Sequence, residues 1–513
     1  MNFPVWQLGF PGGLLIAIVA VTHVFVSHFA VGGGAFLVLT ELRAYSKNDD
    51  ALLGYVRRHS KFFALLTLVY GAISGVGIWF TIGLVAPEAT SSLIHTFVWA
   101  WAIEWVFFFV EITSAIIYAS QWDRLDRRTH MAIGWIYFVA AWMSLFVING
   151  IITYQLTPGR WLTTHNIWDG LFNPTYWPSL FLRTAMSVLL AGVFGLLTAT
   201  REPDDVRQRV NRWAGQWMVL GTLLIPIFTW WYYSRFPDFS RTLLNGSLPA
   251  AQHPIRMGIL SAALILLIGV SCAIWKPRAM SKPLVVLLVF FAFSLMASGE
   301  YLREFVRKPW VINGYIYANG LRVADVAQYQ QAGFTRELKF TSTDDLSSAQ
   351  YGHDLFISQC SACHTVDGYR SMRKRVVGWD SAFAKEMLAH IHVLRGTMPQ
   401  FAGNEQDRAA LGKYLASLNP PVNYAAISDR AVAGKHSFDN RCGHCHTING
   451  NFRPLKTAFA GGGTDQVQAI LPVLDAMSPN MPPFTGTPEE AQLLSEYIAS
   501  TANAPTASAR GGR

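Results

Sequence analysis

The stretch LLIAIVAVTHVFVSHFAVGGGAFLVLTE, residues 14–41, contains no Asp, Glu, Lys or Arg before Glu41. A helix that crosses a bilayer needs about 20 predominantly apolar residues. No basic segment precedes this run, so we expect a retained helix and not a cleaved signal peptide. Seven similar runs follow, and the eight cover about 13–40, 62–87, 94–119, 131–154, 179–199, 214–233, 257–275 and 283–302. They predict an all-α bundle of eight transmembrane helices.

The composition changes near residue 310. Only 14% of the 513 residues are charged, against about 25% in soluble domains, and the polar residues concentrate after this point. The net charge of +9 does not indicate nucleic-acid binding, because the basic residues lie mostly in alternate short loops, where they orient a membrane protein. These are Arg43, Lys47, Arg57, Arg58 and Lys61; Arg124, Arg127 and Arg128; Arg201, Arg207, Arg209 and Arg212; Lys276, Arg278 and Lys282. They predict a multi-pass protein of a bacterial inner (cytoplasmic) membrane with both termini on the periplasmic side.

Four of the five cysteines form two C-x-x-C-H motifs, Cys360–His364 (CSACH) and Cys442–His446 (CGHCH). In such a motif the thiols bond covalently to haem and the adjoining histidine is presented to the iron. A zinc site or a redox pair gives no reason for a histidine after both second cysteines. The motifs therefore predict two covalent c-type haems, held through Cys360, Cys363, Cys442 and Cys445.

The two motifs belong to an internal repeat. Met398 follows His364 by 34 residues and Met481 follows His446 by 35, each in a Met-Pro loop before an amphipathic helix. Residues 345–503 resemble class I cytochrome c, which implies His364/Met398 and His446/Met481 as iron ligands. Met477, His390, His392 and His444 are alternative sixth ligands. The resulting divisions are a bundle (1–310), a linker (311–344), two small helical cytochrome c domains (345–420 and 421–503) and a disordered tail (504–513).

Residues 5–312 resemble subunit I of the cytochrome bd quinol oxidases. The resemblance rests on His23 followed by VFVSHFAVGGGAFLVLTE, and on FFFVEITS, WDRLDRRTHM, VINGIITYQLTPG with FNP, IRM and REFVRKPWVI. Several family features differ. FLRT places Leu182 or Arg183 where the family has a haem-ligating histidine, and Ala297 replaces a glutamate ligand, with Glu300 three residues on. The quinol loop is shortened to about 234–256, and the ninth helix is absent.

The resemblance implies one or more membrane haems, of the b or high-spin type, with His23 as a ligand. Met257, Glu300 and His28 are further candidate ligands, and Arg256 is a candidate partner for a haem propionate. His95, His165 and His253 are alternatives for the missing ligand. Gly32, Gly33 and Gly34 clear room beside His23. Glu104 and Glu111 are seven residues apart, hence on one helix face, where they form either a proton path or structural hydrogen bonds.

Three functions fit these observations. The first is a bd-like redox enzyme, an oxidoreductase that exchanges electrons with a periplasmic partner through its c haems. The second is a quinol dehydrogenase that passes electrons from membrane quinol to these haems. The third is a non-catalytic anchor or assembly subunit. Lipid and further membrane or periplasmic redox subunits are the expected partners, with quinol, oxygen or a soluble cytochrome as reactants.

Overall fold

A computed structural model describes residues 8–246, 249–338, 343–450 and 453–504. The chain divides into two compact units. The membrane unit comprises Leu15–Arg307 and Val311–Tyr315, and the second unit comprises Met1–Leu14, Lys308–Trp310 and Ile316–Arg513. The predicted disordered tail lies, from residue 505 onward, outside the described residues.

The membrane unit is helical throughout. Its α-helices are α1 Gly12–Ser46, α2 Asp50–Ala64, α3 Gly71–Val85, α4 Pro87–Thr96, α5 Val98–Ser120, α6 Arg127–Tyr154, α7 Trp161–Thr164, α8 Ile167–Leu171, α9 Tyr176–Ala199, α10 Asp204–Ser234, α11 Asp238–Asn245, α12 Pro249–Ile268 and α13 Lys282–Phe305. π-Helical turns span Leu65–Tyr70 and Gly269–Trp275, and a 3-10 turn spans Pro277–Ala279. The chain leaves this unit through two short paired strands, β1 Trp310–Ile312 and β2 Ile316–Tyr317.

Within the described residues, seven helices are long and apolar enough to cross a membrane, against the eight predicted. They span Gly12–Ser46, Asp50–Val85, Val98–Ser120, Arg127–Tyr154, Tyr176–Ala199, Ala250–Trp275 and Lys282–Phe305. The remaining predicted run, 214–233, is helical as part of α10. It is less apolar than the others because it contains Gln216, Pro226 and four consecutive aromatic residues at its end.

Helix α9 is the central helix of the membrane unit. Its most apolar stretch is 72% buried, against 11% to 39% for the other six spans. Glycines allow its neighbours to approach at backbone distance. A Cβ added to Gly32 of α1 would lie 1.9 Å from the Ser187 carbonyl oxygen, and one added to Gly221 of α10 would lie 2.4 Å from the Leu189 amide nitrogen. Small residues at such crossings are the usual basis of helix packing in membranes.

The second unit consists of short helices. They are α14 Val326–Ala332, α15 Ala349–Gln359, α16 Met372–Arg375, α17 Ser381–Ala389, α18 Ile391–Arg395, α19 Glu405–Ser417, α20 Arg430–Ser437, α21 Lys456–Phe459, α22 Thr464–Ile470, α23 Leu474–Met477 and α24 Pro488–Asn503. 3-10 turns span Val323–Asp325, Thr335–Glu337, Tyr424–Ala426 and Leu471–Val473, and a π-helical turn spans Phe438–Cys442. Together with the membrane bundle, these elements confirm the predicted all-α fold class.

Two of the apolar clusters in the described part of the second unit each contact the first cysteine of one C-x-x-C-H motif, and we call these the two cores. We call the surrounding regions the first lobe (316–418) and the second lobe (424–504). Part of the predicted linker packs into the first core, including the fully buried Phe334. The Phe334 amide donates to Asp407 Oδ2 at 2.8 Å, and the Tyr351 hydroxyl donates to Oδ1 at 2.7 Å. This buried carboxylate ties the segment before the motif to helix α19.

Candidate haem sites and the groups around them

In the first lobe, Cys360 caps helix α15 and the following residues form one further turn. The His364 amide donates to the Cys360 carbonyl at 2.9 Å, which brings the histidine back beside the two cysteines. His364 Nδ1 lies 3.3 Å from the Arg370 carbonyl oxygen. A carbonyl can only accept, so this bond requires the proton on Nδ1 and leaves Nε2 with its lone pair. Burial lowers the pKa of His364 to about 4, so the imidazole is neutral, as iron ligation requires.

The second lobe repeats this arrangement. The His446 amide donates to the Cys442 carbonyl at 2.8 Å, and His446 Nδ1 lies 3.1 Å from the Arg453 carbonyl oxygen. Arg370 and Arg453 both have a left-handed backbone, with φ of 58° and 41°, which is uncommon for a residue other than glycine. The same uncommon backbone conformation occurs at the two residues whose carbonyls meet the histidines, which indicates that each loop is shaped to orient its histidine.

The cysteines are half-buried in both motifs. Burial raises the pKa of the Cys360 and Cys442 thiols to about 12. They are therefore neutral thiols in an apolar setting, unlike reactive thiolates or zinc ligands, which lie in electropositive or metal-bound surroundings. The donor set fits a haem that is attached through both thiols and ligated by the adjoining histidine.

The Met-Pro loops differ in their surroundings. Met398 is half-buried against an apolar cluster of Phe383, Met387 and Leu394. Met481 is also half-buried, whereas the alternative Met477 is 59% exposed. The alternative histidines His390, His392 and His444 are half-buried as well. Burial supports Met481 over Met477 and does not decide among the histidines.

An ion-pair network joins the two lobes. Arg441, immediately before Cys442, is buried and its guanidinium contacts Glu490 Oε1 at 2.7 Å and Asp380 Oδ2 at 3.2 Å. Thr485 donates to the same Asp380 oxygen at 2.6 Å. Burial alone would raise the pKa of Asp380, but hydrogen bonds from the Phe383 amide and Thr485 and the charge of Arg441 outweigh it and lower the pKa.

We expect the Glu490→Gln variant to lose about 3 kcal/mol in the free energy of unfolding of the second unit, because it leaves the buried Arg441 charge without its main partner. The value lies at the lower end of the usual range, since Asp380 and Thr485 still contact Arg441. Glu496→Gln is the matched control. Its partner Arg430, at 2.7 Å, has a side chain that is 52% exposed, so the expected loss is below about 1 kcal/mol. Denaturant titrations followed by tryptophan fluorescence measure both, and equal losses would contradict the expectation.

In the membrane unit, His23 and His28 have different surroundings. His23 is half-buried and its Nδ1 lies 3.0 Å from Ser74 Oγ on α3. His28 is buried and its Nδ1 lies 2.8 Å from the Val24 carbonyl. A histidine that ligates a metal usually has its other ring nitrogen in a hydrogen bond, and His23 and His28 each have such a bond at Nδ1. The space beside Gly32, Gly33 and Gly34, however, is filled by neighbouring helices: added Cβ atoms would meet Ser187, Phe63 and Tyr137.

The other candidate membrane ligands are either paired with arginines or exposed. The Glu300 carboxylate is held by Arg183 at 3.2 Å and by Arg303 at 2.8 Å. Met257 is 53% exposed on α12, and Arg256 is exposed beside it. His95, His165 and His253 are exposed. Arg183, which the sequence places where the family has a histidine, thus pairs with the glutamate that was expected to replace a ligand.

Both glutamates of helix α5 face helix α6. Ser144 donates to Glu104 Oε1 at 2.9 Å, and the Tyr137 hydroxyl donates to Glu111 Oε1 at 3.2 Å. Neither Ser144 nor Tyr137 was singled out from the sequence. Both lie on a different helix from the glutamates, and no local pattern in the sequence marks them as partners. The shared face predicted for Glu104 and Glu111 is therefore a polar seam between α5 and α6.

The seam continues toward the end of α5. The fully buried Glu41 accepts from the Tyr118 hydroxyl at 2.6 Å and lies 2.9 Å from His130 Nδ1. Tyr118 and Tyr137 both line a small cavity, together with Gly34, Leu37, Val38, Ser60, Phe63, Ala115 and Gly134. The sequence contained a signal for this cluster, since Glu41 ends one family phrase and His130 lies within another.

The fold and these sites define a class: a helical membrane protein that carries a haem-binding module. The family described as cytochrome bd terminal oxidase subunit I matches residues 14–201. The family described as cytochrome c oxidase, cbb3-type, subunit III matches residues 347–415. No curated protein matches the chain.

A solved structure supports the membrane assignment. The chain is similar to a bd oxidase from Geobacillus thermodenitrificans, with a TM-score of 0.51 and 14% identity, over 59% of this chain and 88% of that one. At this identity the likeness concerns the fold. The chain thus combines a segment similar to bd subunit I with a segment similar to a cytochrome c domain. It is a haem-binding, membrane-integral respiratory redox protein that lies in lipid and works with other redox partners.

Proposed function

We propose that this protein transfers electrons between its bd-like membrane bundle and a periplasmic partner through two covalently bound c-type haems. The observation that carries the proposal is the repeated histidine geometry, in which His364 and His446 each have Nδ1 bound to a backbone carbonyl and Nε2 left for iron. A cytochrome c module on a bundle with a shortened quinol loop fits a change of electron partner.

Each residue has a defined task in this proposal. Bound haem supplies a reversible one-electron iron couple. Cys360, Cys363, Cys442 and Cys445 would tether the two groups, and His364, Met398, His446 and Met481 would ligate their iron. A thioether ligand favours reduced iron, so the chain sets a higher potential than a pair of histidines would.

The proposed topology places both termini in the periplasm. The basic residues concentrate in alternate loops between the apolar helices, and such loops are cytoplasmic by the positive-inside rule. The second unit follows the last apolar helix and so lies outside, where c-type haem is attached. A protease added to right-side-out spheroplasts is expected to cleave the second unit, and protection there would contradict the topology.

Haem analysis of the purified protein tests the proposed function. We expect two haem c per chain by pyridine haemochrome, peroxidase staining of the denatured polypeptide on a gel, and additional extractable haem b. Absence of staining would refute covalent haem attachment. A high-spin band that responds to carbon monoxide supports oxygen reduction, whereas reduction of the c bands by added quinol supports a quinol dehydrogenase.

One observation favours the anchor alternative. Arg183 and Glu300 lie at positions related to haem ligands of the family. They form an ion pair at 3.2 Å, which is a structural use of both side chains. In a bundle without redox centres this pair would stabilise the contact of α9 with α13. Two haem c per chain without any extractable haem would favour this function.

The oxidase form of the proposal makes a prediction for Glu111. Glu111→Gln keeps the hydrogen bond from Tyr137 but removes the titratable group, so oxygen uptake is expected to fall by about a hundredfold, as for loss of a proton-transfer group. Glu88→Gln, at the start of α4, is the control and is expected to keep the rate. Unchanged uptake in Glu111→Gln, with normal haem content, would exclude a proton path through this residue.

A further inference from the structure

The two candidate haem c sites share one small apolar cluster. Phe383, Met387 and Leu394 of the first lobe are buried together, with exposures of 3%, 1% and 7%. Met398, the proposed ligand of the first site, packs against this cluster. Cys445, a proposed tether of the second site, packs against the same cluster. The same cluster therefore contacts both the ligand loop of one site and the attachment loop of the other.

Trp379 fastens the second attachment loop to the first lobe. Its indole N–H donates to the Asn440 carbonyl at 2.9 Å. Its ring meets the His444 ring edge-on at 5.3 Å, and the Phe383 ring in the same way at 5.3 Å. His444 lies inside the CGHCH motif. One side chain thus contacts both the shared cluster and the motif that would carry the second haem.

Polar contacts fix the orientation of the lobes around this point. Asp380, which follows Trp379 directly in the sequence, makes the contacts with Arg441 and Thr485 described above. On the other side, Gly378 has φ of 72°, and a Cβ there would lie 2.1 Å from the Tyr424 hydroxyl of the second lobe. Elsewhere on the interface, Arg453 donates to the Val393 carbonyl at 2.9 Å. Lobes that served separate partners would need no such fixed alignment.

We infer that the contact built from Trp379 and the Phe383, Met387 and Leu394 cluster is an electron-transfer junction between the two haem c sites. The inference rests on the proposed function, because it requires haem at both. One electron leaves the iron of one site, which is oxidised, and reaches the iron of the other, which is reduced. No bond changes and no proton moves. Trp379 is a positioning residue that keeps the two attachment loops at a fixed separation.

Pulse radiolysis of the full chain in detergent tests the junction. Met481→His is introduced into every chain compared, so that the second site has two histidine ligands, a lower potential and a distinct absorption band. After the initial reduction we expect a first-order exchange phase whose rate does not depend on protein concentration. Trp379→Ala is expected to slow this phase by about tenfold or more, which corresponds to about 1.4 kcal/mol in the barrier.

Two further variants keep the test decisive. Trp310→Ala is the matched control, because Trp310 belongs to the same unit but stacks on Tyr317 at 4.4 Å, away from the cluster; the exchange rate should be unchanged. Asp380→Ala serves if Trp379→Ala does not fold. Asp380 is partly exposed, and its replacement removes the contacts with Arg441 and Thr485 that align the lobes. This variant should also slow exchange. Equal rates in all variants, or exchange that depends on concentration, would overturn the junction.

Electron paramagnetic resonance of the chain without the Met481 change gives a second readout. Each ferric signal is expected to saturate at higher microwave power when the other iron is also ferric than when it is reduced. Independent saturation would overturn the junction. Haem is counted first: fewer than two haem c per chain refutes the proposed function, whereas two haems without exchange refute this inference alone.

Discussion

A chain in which Cys442 and Cys445 are both replaced by alanine is expected to carry one covalently bound haem per polypeptide instead of two. Thioether bonds are the covalent link in a C-x-x-C-H motif, so the second lobe loses its tether while His446 remains. Pyridine haemochrome divided by protein content measures the change. The paired replacement of Cys360 and Cys363 is expected to halve the haem content in the same way.

Cys272→Ala is the control for both double variants. Cys272 lies in the π-helical turn of the membrane unit and is half-buried there, so its loss should leave two haems per chain. A double variant that kept both covalent haems would contradict attachment at that motif. A chain that lost both haems after either change would instead mean that the two lobes depend on each other for haem attachment. The apolar cluster that both lobes contact would account for that dependence.

Gly32→Leu is expected to prevent the membrane unit from packing. A Cβ at Gly32 would already lie 1.9 Å from the Ser187 carbonyl oxygen and 2.4 Å from its carbon. These are backbone atoms of the central helix α9 and cannot rotate away as a side chain would. The cost should exceed the about 1–3 kcal/mol typical of overpacking by added methylenes in a core. We expect little monodisperse protein after detergent extraction and size-exclusion chromatography.

The same substitution at Gly83 separates this effect from a general effect of leucine. Gly83 lies in α3, and nothing approaches an added Cβ there within 4 Å. Gly83→Leu changes helix propensity and apolarity as Gly32→Leu does, but meets no neighbour, so yield and thermal stability should match the unmodified chain. Equal yields of the two variants would show that α1 and α9 do not pack as described.

The comparison of the sequence with the structure is most informative at the glycines beside His23. Gly32, Gly33 and Gly34 were expected to clear room near a cofactor, whereas α9, α2 and α6 occupy that room. A glycine in a sequence indicates close approach without identifying what approaches. Similarly, Glu300, a candidate iron ligand from the sequence, has its carboxylate in ion pairs with Arg183 and Arg303. Arg303 is only three residues from Glu300, whereas Arg183 is more than a hundred residues away and leaves no local pattern.

The sequence by itself determined the features that depend on neighbouring residues: the apolar helices, the change of composition near residue 310, the two C-x-x-C-H motifs and their Met-Pro loops. Each is encoded by spacing along the chain, which bilayer thickness and helix periodicity translate directly into structure. Only the tertiary structure decided the contacts between distant segments, such as Glu41 with His130 and Trp379 with His444. Such pairs form because packing brings their helices and loops together, and no periodicity in the sequence records that.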